Sequence, residues 1–295
     1  LPQQTQPGPL ISVVMSCHNG RETLARALAS LLWQSHAHWE LILLDDGSDD
    51  GSAGIAQALG DPRIHVHADG VRRGLAARLN EGVRLARGDY VARMDVDDVA
   101  FPERLARQSA FLQANPEVDL LATAALMVDG DDRPVGILRT GSSHEDICRR
   151  AWHGFPMPHP TWMGRTTWFL RNPYDERAHK AQDQSLLYRT HRTSRFAGLQ
   201  EVLLGYRYAR LSVKKTLIGR YHFLRAVARA GRPLDVLAGV GNHGLAAARD
   251  LLGCATGMDA WVIARRVHPF DAVIAQRWDG LMRDLAVADG RAEPR

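Results

Sequence analysis

Three carboxylates, Asp95, Asp97 and Asp98, fall within four residues directly after the apolar run Tyr90-Val91-Ala92-Arg93-Met94. Like charges at this spacing repel, and a fold keeps them at a strand end chiefly where a cation sits among them. A divalent metal held by one or two carboxylates fills its other positions with water and phosphate oxygens. The cluster therefore points to a metal–phosphate site and, with it, to a nucleotide substrate. An acidic strand-to-loop turn is the plain alternative, because Asp is common in turns.

The elements that must carry this cluster are legible in the apolar pattern. Residues 10–16, 39–44, 64–67 and 90–94 are short apolar runs that read as strands. Between them, 21–34, 52–59 and 75–86 show helical spacing, and 102–115 adds a helix with Pro102 at its start. Residues 118–128 read as a further strand. This alternation predicts an α/β fold with a mostly parallel sheet flanked by helices. Ligands bind such sheets beyond the carboxyl ends of the strands. The polar residues fall there: Ser16, His18 and Asn19 after the first strand, Asp45 and Asp46 after the second, and the three aspartates after the fourth.

Residues 129–164 read as irregular and rich in Pro, His and Trp. A helix is expected over 182–192, and a last strand with a loop over 196–208. From 212 the chain turns to Ala-, Leu- and Arg-rich helical segments. The expected divisions are a flexible lead-in over 1–9, a nucleotide-binding part over 10–128, an acceptor and base part over 129–211, and a helical extension over 212–295. Gly239-Val240-Gly241-Asn242-His243-Gly244 fits a dinucleotide fingerprint, but too little chain follows the boundary for such a domain. A Gly-rich loop between helices is the expectation there.

Composition narrows the class. The chain has 295 residues, 45% of them hydrophobic and 24% charged, which suits a globular protein. Its three cysteines form no close pair, so neither a disulfide framework nor a zinc site is expected, and a reducing cytoplasm fits. A net charge of +4 is too weak to argue nucleic-acid binding but suits an anionic substrate or membrane surface. No apolar run reaches the ~18–20 residues of a membrane span. The opening residues lack the basic and apolar regions of a secretory leader.

Several of these segments together resemble one family. Ile11-Ser12-Val13-Val14-Met15-Ser16-Cys17-His18-Asn19, Glu22, Leu43-Leu44-Asp45-Asp46-Gly47-Ser48-Asp49-Asp50, the stretch 73–82, the stretch 86–98 and Phe101-Pro102-Glu103-Arg104-Leu105 closely resemble family 2 glycosyltransferases of the GT-A fold. The match is dense over 10–128 and looser to about 210. The resemblance implies inverting transfer of a sugar from a nucleotide-sugar donor, UDP by default, with Mn2+ or Mg2+. It implies a saccharide or lipid-linked acceptor in surface or exported polysaccharide synthesis. By the same resemblance, Asp46 binds the nucleobase. Ser16, His18, Asn19 and Glu22 lie at the nucleoside, Arg73 approaches the phosphates and Asp95 faces the ribose. Asp97 holds the metal, with Asp98 as the following aspartate of a D-x-D-D form.

An inverting displacement also needs a base beside the acceptor hydroxyl. By resemblance Asp183 in Ala181-Gln182-Asp183-Gln184 is that base, with Gln182 where the family usually has Glu. The competing reading makes Asp183 a helix N-cap. His159 of His159-Pro160 is the candidate acceptor residue, against a role as a structural loop histidine. Trp152, Trp162 and Trp168 are candidates to stack on sugar rings, with burial as the expectation. The basic amphipathic run 212–232, with Lys214, Lys215, Arg220, Arg225, Arg229 and Arg232, is the candidate for peripheral contact with the inner membrane face. Two alternatives to the transferase stand beside it: a nucleotide-sugar binder without activity, and a sugar nucleotidyltransferase, which lacks the expected phosphate loop.

Overall fold

The computed structural model describes residues 8–208, 213–255 and 267–288. In chain order its elements are β1 (Ile11–Cys17), α1 (Leu24–Leu32), β2 (Trp39–Asp45), α2 (Ser52–Ala58), β3 (Ile64–Ala68), α3 (Leu75–Leu85), β4 (Tyr90–Arg93), β5 (Val99–Ala100), α4 (Arg104–Ala114) and β6 (Leu120–Val128). There follow β7 (Pro134–Leu138), α5 (His144–Cys148), β8 (Met163–Arg165), α6 (Thr166–Arg171), α7 (Gln182–Thr190) and β9 (Phe196–Arg207). Three helices close the described chain: α8 (Val213–Ala230), α9 (Pro233–Ala255) and α10 (Ala272–Ala288).

The strands form one sheet in the order β3-β2-β1-β4-β8-β6-β9-β5, with β7 paired to β6. Strands β3, β2, β1 and β4 run parallel, as the sequence predicts. Beyond β4 the sheet is mixed. β8 lies antiparallel to both β4 and β6, while β6 and β9 are parallel. The segment read as irregular thus contains β7 and β8. Each is too short, and too interrupted by Pro and Gly, to show a period of two.

Alternation along the parallel strands covers both faces. Ile11, Val13, Met15, Leu41 and Leu43 pack with Leu24, Leu28 and Leu31 of α1. Val14, Ile42 and Leu44 point the other way, onto Ala76, Leu79 and Val83 of α3. A strand buried on both faces reads as the near-continuous apolar run seen in the sequence. A Cβ at Gly82 would collide with the Val14 side chain, so the close approach of α3 to β1 depends on that glycine.

The registers put strand ends side by side. Cys17 lies opposite Asp45 and Val14 opposite Arg93, so the loops carrying Asn19, Asp46 and Asp95 leave one edge of the sheet. The expected boundary between 211 and 212 lies outside the described residues. The helices beyond it are not a detached appendage. Trp278 of α10 is 1% exposed and packs with Phe101, Val128 and Val202, and its indole N–H donates to the Asp132 carbonyl at 2.8 Å. A Cβ at Gly205 would strike its ring. The Gly-rich stretch 239–244 lies inside α9, not in a loop. The Leu- and Ala-rich residues around it carry the helix across the glycines.

Candidate active site

Backbone and side chains at the end of β4 hold the acidic cluster. Carboxylate oxygens of Asp95, Asp97 and Asp98 all lie within 4.8 Å of one another. Arg93 grips Asp95 with both terminal nitrogens, Nη1 at 2.6 Å and Nη2 closer still. Two residues apart on an extended chain share a side, so the strand itself aims this arginine at the aspartate. Asp98 is 1% exposed. Its Oδ1 accepts the Arg207 N–H at 3.0 Å, while its Oδ2 is buried with no partner. Burial, and then the neighbouring carboxylates, hold Asp98 well above the usual carboxylate range, and Asp97 is raised for the same reasons. Unsatisfied buried oxygens and mutually destabilised charges are what a divalent cation relieves, so the donor set fits one. Asp97 is the free member, since Asp95 is committed to Arg93 and one oxygen of Asp98 to the backbone.

At the end of β2, Asp46 is 5% exposed and fully engaged. Its carboxylate accepts the N–H groups of Arg73 at 2.7 Å and Gly74 at 3.0 Å, and the Arg78 Nε–H at 3.2 Å. Gly74 takes φ +89°, a value that glycine adopts without strain. Arg78, 1% exposed, also pairs with Asp69 and Glu81. Asp46 therefore braces the loop before α3. Arg73 pairs with Asp69 on the surface. At the end of β1 the His18 ring bonds the Asp46 carbonyl at 3.1 Å. Asn19, at φ +54°, exchanges bonds with Ser48 and Asp49. Ser16 is half-buried and Glu22 exposed beside them.

Asp183 lies in the first turn of α7, but the N-cap is Ala181 in the left-handed conformation, with no side-chain cap. The N-cap reading is thereby corrected: the carboxylate is not used to start the helix. It lines a cavity of about 1120 Å³ together with Arg93, Asp95 and His159. Burial raises its pKa above the ordinary aspartate value. Gln182, where the family usually has Glu, is 8% exposed and lines the same cavity. His159 Nε2 lies 2.9 Å from the Tyr174 hydroxyl, and its ring stands edge-on to Trp162 at 4.6 Å. Burial, then the nearby Arg93 charge, push it well below the usual histidine range, so it is neutral. Asn80 clamps Tyr174 through both its backbone N–H and carbonyl. Arg104, fully buried, donates to the carbonyls of Arg93 and Pro160 and so ties β4 to the His159 turn. Trp162 and Trp168 are buried, as expected, whereas Trp152 is only half-buried.

Sequence reasoning missed Arg93, which faces Asp95 and whose charge also reaches Asp183 and His159. A signal existed: it is the one charged residue of β4, at even spacing from Asp95. Arg207, 109 residues from Asp98, carried no local signal. His36 and His38 bond the carbonyls of Pro9 and Gly8.

The family model for glycosyl transferase family 2 matches residues 12–173. This chain belongs to that family. The putative glycosyltransferase EpsE of Bacillus subtilis is 42% identical over 125 residues, 41% of this chain and 45% of that protein. The putative colanic acid biosynthesis glycosyl transferase WcaA of Escherichia coli is 38% identical over 101 residues, 33% of this chain and 36% of that protein. The chain thus spans less than half the length of these two relatives. Among solved structures, Staphylococcus aureus TarS 1-349 with UDP superposes with a TM-score of 0.61 at 18% identity, covering 79% of this chain and 71% of that one. The mannosyltransferase PcManGT of Pyrobaculum calidifontis, with GDP-Man and Mn2+, gives 0.57 at 16% identity, covering 88% and 86%. These likenesses establish the GT-A fold.

Proposed function

We propose that this family 2 member is an inverting glycosyltransferase of polysaccharide synthesis that moves a sugar from a nucleoside diphosphate donor to a saccharide or lipid-linked acceptor. The observation that carries the proposal is the placement of Asp183. A half-buried carboxylate free of capping duty opens into the same cavity as the Arg93–Asp95 pair, at the carboxyl end of β4. In this reading Asp183 accepts the proton of the acceptor hydroxyl as its oxygen attacks the anomeric carbon. Arg93 keeps Asp95 oriented and offsets local negative charge. Neutral His159, fixed by Tyr174, offers a hydrogen bond to a sugar hydroxyl.

Asp97, with Asp98 in support, would hold Mn2+ or Mg2+, which when bound neutralises charge developing on the leaving diphosphate. Ser16, His18, Asn19, Glu22, Asp46 and Arg73 would frame the nucleotide. Asp46 does so mainly by shaping the loop that its carboxylate braces. UDP is the nucleotide we favour, because the TarS structures hold UDP and UDP-GlcNAc.

Measured release of nucleoside diphosphate tests the reading. Acceptor-dependent release that disappears in Asp183→Asn, with UDP still bound, is the expected result; unchanged turnover would remove Asp183 from the mechanism. Buried Gln182 favours the second reading, a binder with little activity, which predicts UDP binding without acceptor-dependent release. Pyrophosphate release from a nucleoside triphosphate would instead mark a nucleotidyltransferase.

Among the described residues no helix is long and apolar enough to cross a membrane. Peripheral contact is proposed for the α8–α9 pair. On α8, Phe223 and Val227 are buried. On α9, by contrast, Leu234, Leu237 and Leu245 are 78%, 71% and 77% exposed. A single apolar stripe beside a basic helix is the pattern of an interfacial element.

A further inference from the structure

The cavity beside Asp183 is larger than one sugar needs, at about 1120 Å³, and Ser16, Asn19 and Asp46 take no part in lining it. Its far wall is built from Gly219, Arg220 and Phe223 of α8 and His243 of α9. It therefore lies on the acceptor side of the site, closed by a part of the chain outside the stretch that the family model matches.

Its charges are unbalanced. Six basic and three acidic residues line it: Arg93, Arg139, Arg149, Arg150, Lys180 and Arg220 against Asp95, Asp146 and Asp183. Arg93 is committed to Asp95, Arg149 to Asp146 at 3.0 Å, and Arg220 to Asp250 at 2.5 Å. The side chains of Arg139, Arg150 and Lys180 make no hydrogen bond or ion pair among the described residues. They come from three separate places in the chain, after β7, after α5 and before α7, and all three line this cavity. They are solvent-facing, so a bound anion could reach them without desolvating a buried cation.

We propose that Arg139, Arg150 and Lys180 form an anion subsite that holds a phosphate or carboxylate group of the acceptor while its hydroxyl meets Asp183. This rests on the reading of the cavity as the acceptor site. Arginine forks suit the paired oxygens of either group, and lysine adds a point charge. The two sources of such a group are a diphosphate link to a lipid and an acidic sugar within the saccharide. Both place negative charge at a distance from the reacting hydroxyl. Three exposed cations lining the cavity that Asp183 also lines match that arrangement.

The test is calorimetric binding to the full chain saturated with UDP and Mn2+, using three probes. These are a disaccharide joined through diphosphate to a short alkyl chain, a disaccharide bearing a uronic acid, and a neutral disaccharide methyl glycoside. At least one charged probe should bind about tenfold more tightly than the neutral one, and added NaCl should narrow the gap. The charged arm that wins identifies the source. The triple variant Arg139→Gln, Arg150→Gln, Lys180→Gln should erase the preference with its melting temperature and UDP affinity unchanged, since all three side chains are exposed. Neutral and charged probes binding alike, a preference that survives the triple substitution, or no probe binding at all would overturn the subsite. Failure of UDP to bind while the charged probe still does would instead overturn the donor reading and leave the subsite standing.

Discussion

The two halves of the site are built by different means. The proposed donor side stands on parallel strands buried on both faces, and its carboxylates are already bonded: Asp46 to the backbone N–H groups of Arg73 and Gly74 and to the Arg78 side chain, and Asp95 to Arg93. The proposed acceptor side is a wide cavity walled by a short-element segment and by α8 and α9, with three cations that have no partner among the described residues. The first is a preorganised frame, the second a roomy surface. Contacts to a nucleotide, common to many donors, need fixed geometry, whereas acceptor choice can be altered by changing rim residues without disturbing the sheet.

The sharpest way to break this contrast is at Asp183, the proposed base. Asp183→Asn should lower transfer by about 10²- to 10⁴-fold while UDP affinity is retained; a matching fall in UDP affinity would show the halves to be one unit. On the donor side, Arg78→Ala strips a buried cation from three carboxylates and should cost about 3–5 kcal/mol in denaturant unfolding, with nucleotide binding lost as well. A stability change below about 1 kcal/mol would refute the frame.

Asp97→Ala should remove the Mn2+-dependent part of UDP's thermal stabilisation, about 2.7 kcal/mol at a hundredfold excess over Kd, and spare the acceptor cavity. A pH profile sharpens the comparison further. The base must be ionised and burial raises the Asp183 pKa, so kcat/KM should fall as pH drops through a value above the ordinary aspartate one. Asp183→Asn should flatten that limb, and a limb that survives the substitution belongs to another group. The smallest expected effect on the fold is at α9. Leu237→Ser with Leu245→Ser should shift stability within about 0.5 kcal/mol, because both side chains face solvent. The same pair should reduce co-sedimentation with anionic phospholipid vesicles; unchanged co-sedimentation would count against the membrane-facing reading.

The same division decides what could be read without coordinates. Strands β1, β2 and β4, helices α1 to α4, and the Asp95-Asp97-Asp98 cluster are local patterns, because burial on both faces forces continuous apolar runs and the strand end fixes where the polar residues fall. Asp183 and His159 were nameable only through family resemblance. Their surroundings give no periodic signal, since β7, β8 and α5 are held by tertiary pairing rather than by propensity. That Asp183 is not a cap follows from the left-handed Ala181, which no sequence rule anticipates.

Sequence alone determined the parallel half of the sheet, the order of its elements and the acidic cluster, all consequences of short-range alternation of apolar and polar residues. Tertiary structure alone decided that Arg207 closes on Asp98 and that α10 seals the sheet with Trp278. It also decided that α8 and α9 wall the cavity beside Asp183. Each of these joins residues tens to more than a hundred positions apart, or selects one partner among many chemically equal ones. Packing makes that selection through shape and desolvation, neither of which is written into neighbouring residues.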